Sequence, residues 1–126
     1  MREPRLPPVG LSDAESRDAV RRAQAFAIPK ALERAGLTLA NMDIIEINEA
    51  FSVQVPGCLK MMNIAFLDPR VNPNGGAIAV GHPLGASAAR LALTTARELE
   101  QRNGRYAVLS LCIAVGQGLA VVIERV

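Results

Sequence analysis

Histidine is almost missing from this chain: His82 is the only one in 126 residues, and cysteine occurs only as Cys58 and Cys112. One imidazole and two thiols far apart in sequence supply neither a structural zinc site nor a disulfide framework, so no metal is expected and both cysteines are read as free thiols. Long apolar runs are lacking too. The apolar runs, "AIAV" and "LAVVI" among them, fall far short of the roughly 20 residues that a bilayer-crossing helix needs, and no membrane partner is expected. A net charge of +2 with 21% charged residues is too weak to predict a nucleic-acid partner, and too balanced by apolar content to predict disorder. No P-loop pattern occurs. The opening "MREPRLPPVG" holds charge and three prolines where an export signal carries its apolar segment, which makes a cytoplasmic location the expectation.

Half of the residues are apolar, enough in a chain of this length for one domain with a real core but not for two. Residues 1–24 read as a tail or linker able to hold a helix, and 25–126 as the folded domain. "SDAE" offers Ser12 as a cap with Glu15 three residues on, which predicts a charged outer helix from about Asp13 into the twenties. In "IPKALERAGL" Pro29 suits a first helical turn and Gly36 the position past the end, so a separate short helix is expected. The β-branched run Ile44 to Ile47 reads as a buried strand, with Asn48 at its C-terminal end. Ser52 is placed as the cap of a helix at about Val53 to Met62, with Pro56 in its opening turn. "DPRVNPNGG" is a turn-rich connection.

A helix pattern runs from about Leu84 to Arg102, closed by Asn103 and Gly104. Ala86, Ala88, Ala89, Ala92 and Ala96 cover much of it beside a thin polar stripe of Arg90, Thr94, Arg97 and Gln101, so it is expected to be buried on most sides. "YAVLSLC" and "LAVVIE" follow as two strands whose short connection, "IAVGQG", suits an antiparallel pair. Helices alternating with strands give an α/β layered domain, with a mostly parallel sheet and one antiparallel addition.

Three polar groups then hold comparable places: Asn48 after one strand, His82 in the loop before the small-residue helix, and Cys112 near the end of another strand. Ligand sites in such sheets gather outside strand C-termini. A histidine beside a cysteine can raise the thiolate fraction or shuttle its proton, and an asparagine amide can orient water or serve an oxyanion, which together point to acyl or carbanion chemistry. Each group also has a plain reading. His82 in a Gly-Pro loop can be a structural hydrogen-bonder, either cysteine can be apolar filler, and Asn48 can merely close a turn.

Taken jointly, "NEAF" at Asn48 to Phe51, "NGGAIAVGHPLGAS" at Asn74 to Ser87, and "CIAVGQG" at Cys112 to Gly118 resemble the three C-terminal signatures of the thiolase family, in order and spacing. The resemblance covers roughly Ala25 to Val126, and "GQG" followed by "ERV" is similar to the branch acting on 3-oxoadipyl-CoA. It implies the C-terminal half of the thiolase fold, a mixed, mostly parallel five-stranded sheet with helices on both faces. It implies an acyltransferase that cleaves 3-oxoacyl-CoA with CoA, or runs the reverse Claisen condensation, with CoA as substrate and no further cofactor. By the same resemblance His82 activates the nucleophile and helps bind the thioester oxygen, Cys112 is the acid/base at the substrate α-carbon, and Asn48 holds a water in the first oxyanion hole with His82. Ala50 and Phe51 match positions lining the pantetheine tunnel.

Two departures qualify the match. Ala114 stands where the family has a glycine whose N–H helps form the second oxyanion hole; if the site needs positive φ, the Cβ costs about 1 kcal/mol or more. The matched signatures all belong to the C-terminal half, and none of them carries the nucleophilic cysteine. A composite site is therefore expected, inactive as this chain alone, with a thiolase N-terminal half or a second copy docking on the small-residue helix. Two other readings stay open: a non-catalytic interaction subunit, and an independent thiol enzyme with a Cys112–His82 dyad.

Overall fold

The computed structural model describes residues 13–113 and 116–126, with side chains from residue 22 onward. A single helix, α1 (Asp13–Ala35), occupies the stretch where two were expected, with Pro29 in its interior. Proline there withholds an N–H from the carbonyl four residues back and crowds it. The break does not follow, because Ala23, Ala25, Ile28 and Leu32 on both sides of Pro29 are buried, in contact with α2 and the sheet.

The strand expected at Ile44–Ile47 forms as β1, with all four residues buried. Helix α2 (Gln54–Met61) takes Val53 rather than Ser52 at its cap position, and no side-chain cap bond is made. The Gln54 side chain instead reaches back to accept the Ala50 N–H at 3.2 Å. A four-residue turn of helix, α3 (Ala77–Val80), stands inside the glycine stretch. Helix α4 (Ser87–Arg102) starts later than Leu84 because the Pro83 carbonyl draws the amides of Ala86 and Ser87 into a preceding turn. Asn103 ends it in the left-handed conformation, as its residue type favours.

Strands β2 (Tyr106–Ile113) and β3 (Gln117–Glu124) form the expected antiparallel pair. The sheet order is β1-β2-β3, with β1 parallel to β2. Among the described residues the sheet therefore has three strands rather than five, and one parallel pairing rather than a parallel majority. Only three stretches carry a strand pattern, and the outer edge of β1 is closed without a further one. There Val71 makes a lone bridge to Ile45. The Asn72 amide donates to the Ile47 carbonyl at 3.0 Å and accepts the Ile47 N–H at 2.8 Å, satisfying the edge as a strand would.

Alternation along the strands divides the core. Ile45, Ile47 and Val108 join Ile28, Leu32, Val55, Cys58 and Leu59 from α1 and α2. On the other face Ile44 and Ala107 meet Leu99 of α4. Helices thus cover both faces, as expected. The expected burial of α4 on most sides does not occur within the chain: Ser87, Leu91, Thr95, Glu98 and Leu99 point inward, while Ala88, Ala89, Ala92 and Ala96 are exposed. Leucines and hydrogen-bonding side chains gain more from the sheet than alanines do, and the small-residue face is left uncovered.

Candidate active site

Parallel pairing brings the C-terminal ends of β1 and β2 to one edge, where Ile47 lies opposite Ser110. Asn48 is the first residue beyond β1; its N–H donates to the Ser110 carbonyl at 2.9 Å, and the residue is 1% exposed. Cys112 lies two residues beyond Ser110 on the neighbouring strand and is partly buried. Gln24 of α1 ties the two strand ends together from the core, its Nε2 donating to the carbonyls of Asn48 and Ser110 at 3.1 Å each. The Cys112 thiol donates to Oε1 of Gln54 at 3.8 Å, the same oxygen that accepts the Ala50 amide.

His82 reaches this edge from the loop between α3 and α4. Gly81, at φ 93, ends α3 and makes the turn that presents it, a backbone geometry that disfavours any side chain. Nε2 of His82 lies 3.3 Å from Nδ2 of Asn48, and Nδ1 lies 2.6 Å from Oγ of Ser87. Ser87 donates its own hydroxyl to the Pro83 carbonyl at 3.0 Å. The neighbouring Gly76 has a different purpose: a Cβ there would fall 2.1 Å from Oε2 of Glu49. That carboxylate accepts the Ile78 amide at 2.9 Å, so the glycine lets the "NEAF" segment pin down the loop carrying His82.

Asn48, His82 and Cys112 are thus gathered at one sheet edge, with Asn48 and His82 in direct contact. The buried Oδ1 of Asn48 has no hydrogen-bond partner among the described residues, leaving an acceptor beside the imidazole. No hydrogen bond joins His82 to Cys112: the ring nitrogens meet Asn48 and Ser87, and the thiol meets Gln54. The geometry gives no support to a self-contained Cys112–His82 dyad. Ala50 is partly buried and Phe51 is 62% exposed. Ala114 lies outside the described residues. Cys58 is core filler, fully buried, and that burial pushes its thiol up from the ordinary range.

Sequence reasoning passes over Gln24, Gln54 and Ser87, each buried and each touching a site residue or its backbone. The available signal was a polar residue on an otherwise apolar helix face in the first two, and a hydroxyl at a helix start shortly after the lone histidine in the third. Beneath α4, Glu46 is buried on β1, and loss of water pushes its carboxyl up to about 7 despite the pull of Arg90. Among the described residues no three His, Cys, Asp or Glu side chains could hold a metal ion.

This α/β arrangement is that of the C-terminal half of the thiolase fold, and the family model for the thiolase C-terminal domain matches residues 11–125. The chain belongs to the thiolase family. It is 59% identical over 104 residues to beta-ketoadipyl-CoA thiolase of Acinetobacter baylyi, covering 82% of this chain and 26% of that protein. It is 57% identical over 100 residues to the 3-oxoadipyl-CoA/3-oxo-5,6-dehydrosuberyl-CoA thiolase of Escherichia coli, covering 79% and 25%. The crystal structure of human mitochondrial 3-ketoacyl-CoA thiolase superimposes with a TM-score of 0.80 at 43% identity, over 85% of this chain and 27% of that one. A structure of the human protein in complex with CoA matches equally well. The chain spans about a quarter of the length of the curated relatives it matches.

Proposed function

We propose that these residues form the C-terminal catalytic half of a thiolase, contributing His82, Cys112 and Asn48 to a composite site for thiolytic cleavage of a 3-oxoacyl-CoA or the reverse condensation. The observation that carries this reading is the Asn48 amide held 3.3 Å from the His82 imidazole, with Cys112 on the adjoining strand. In cleavage, His82 accepts the proton of a nucleophilic cysteine supplied by an N-terminal half, and that sulfur attacks the 3-oxo carbonyl. The bond between the α- and β-carbons breaks, its electron pair passes to the α-carbon of the departing acyl-CoA, and the Cys112 thiol returns a proton there. Asn48 and His82 stabilise the enolate oxygen, with the water-orienting acceptor of Asn48 buried beside the ring. Free CoA then gives its thiol proton back to Cys112 and attacks the acyl carbon, and the nucleophile leaves as a thiolate that recovers its proton from His82. Ala50 and Phe51 border the pantetheine of the substrate. The names of the relatives favour 3-oxoadipyl-CoA or a similar dicarboxylic 3-oxoacyl-CoA.

The uncovered face of α4 supports the partner part of the reading. Leu93 is 59% exposed beside the exposed alanines, and Ile113, Leu119 and Val121, on the sheet face that α4 shares by strand alternation, are 47%, 48% and 43% exposed. Apolar surface of this kind marks an interface, and a thiolase N-terminal half, or a second copy in its absence, is the proposed cover. The test is thiolysis of acetoacetyl-CoA or 3-oxoadipyl-CoA by the chain alone and with an added thiolase N-terminal half, with Cys112→Ala as control. Activity that appears only on mixing and is lost in the control is expected. Silence with a demonstrably bound partner would favour a non-catalytic interaction subunit instead.

A further inference from the structure

We infer that Ser87 is a positioning residue that sets the tautomer of His82, holding the proton on Nδ1 and turning the lone pair of Nε2 toward Asn48. Its significance for catalysis rests on the proposed role of His82 as proton acceptor; the tautomer itself does not. A serine hydroxyl has one proton to give. In Ser87 that proton goes to the Pro83 carbonyl at 3.0 Å. A carbonyl can only accept, and this one also takes the amides of Ala86 and Ser87 at 3.0 and 2.9 Å. With the hydroxyl proton so placed, Oγ is the acceptor in its 2.6 Å contact with His82, and Nδ1 carries the hydrogen.

The opposite side of the ring agrees. With Nδ1 protonated, Nε2 of the neutral ring is an acceptor, and the group facing it at 3.3 Å is the Nδ2 donor of Asn48. The Oδ1 of Asn48, which would repel that lone pair, is the atom left without a partner. Ser87 is fully buried at the first position of α4, so water does not compete for its oxygen. The proton on one imidazole nitrogen is set by the bond the other makes. A chain of four groups, Pro83 carbonyl, Ser87 hydroxyl, His82 ring and Asn48 amide, is thereby wired in one direction, with the basic nitrogen at the strand edge.

Because His82 is the only histidine, the test needs no assignment. The full chain is labelled with 15N-histidine, and the ring nitrogens are observed by long-range 1H–15N correlation at about pH 9, where an ordinary imidazole is neutral. The wild-type ring should show a protonated Nδ1 and a pyridine-type Nε2, the reverse of the form that prevails for imidazole side chains in water. Ser87→Ala should move the population toward Nε2–H, and Ser87→Thr, which keeps the hydroxyl, should hold the wild-type pattern. Circular dichroism checks that the variants fold; should either fail, the wild-type spectrum decides alone. A wild-type ring protonated on Nε2, or a folded Ser87→Ala variant with an unchanged spectrum, would overturn the inference. In the reconstituted enzyme Ser87→Ala should lower kcat about tenfold or more with little change in KM. An Nδ1–H spectrum in a chain that never gains activity on mixing would retain the tautomer and defeat the composite-site reading; an active mixture with Nε2–H would do the reverse.

Discussion

Oε1 of Gln54 lies 3.8 Å from the Cys112 sulfur and 3.2 Å from the Ala50 nitrogen, so one fully buried amide oxygen joins the thiol near the end of β2 to the loop that follows β1. An N–H can only donate, which fixes the oxygen end of the Gln54 side chain toward both groups. Replacement by leucine, Gln54→Leu, leaves the Ala50 amide without its acceptor. A loss of about 1–3 kcal/mol is expected, read as a lower urea midpoint with an unchanged slope. Equal stability of the two proteins would show that this oxygen does not hold the loop.

Glu46 gives the fold a pH dependence of unusual sign. Burial raises its carboxyl from 4.5 to about 7 in the folded chain, so the native state keeps a proton that the unfolded state releases. Stability from this group is fully present below about pH 4.5 and is lost as pH rises through about 7, by roughly 3 kcal/mol in all. Arg90 limits the rise, while Glu98 and Glu49 add to it. Glu46→Gln should remove the decline: comparing urea midpoints at about pH 5 and pH 8, the variant should gain on the wild type at the higher pH. A constant difference between the two proteins would contradict this.

Two leucines on α4 separate folding from association. Leu99 is 1% exposed in the core on the α4 face, while Leu93 is 59% exposed on the same helix. Leu99→Ala should cost about 2–5 kcal/mol. Leu93→Ala should change the stability of the chain by no more than about 0.5 kcal/mol, whereas Leu93→Asp should weaken capture of a thiolase N-terminal half and any self-association seen by light scattering. Undiminished capture by Leu93→Asp would place the partner elsewhere.

What the sequence displayed and what it concealed divide along physical lines. β1, β2 and β3 were legible because their apolar runs are short, β-branched and bounded by turns, and the helix ends at Gly36 and Asn103 carried local signals. Pro29 misled, since a local penalty was overruled by burial on both sides of it. The alanines of α4 misled differently: small residues tell that something packs closely but not whether the cover lies in the same chain. The resemblance supplied a five-strand count that three local patterns could not reach. At the site, Asn48, His82 and Cys112 stood out by type and position. Gln24, Gln54 and Ser87 did not, because their value lies in hydrogen bonds across 24 to 86 residues of chain for Gln24 and 58 for the Gln54–Cys112 contact, and in a hydroxyl already spent on Pro83 for Ser87.

Whether the proton-transfer groups of this chain serve a shared site is decided by one rate comparison. Acetoacetyl-CoA thiolysis is measured for an N-terminal half mixed with the wild-type chain and with a His82→Ala chain, at partner concentrations where binding of both is saturated. The composite-site account predicts turnover with the wild type and a loss of about a hundredfold or more with His82→Ala. Equal rates from the two mixtures would contradict it.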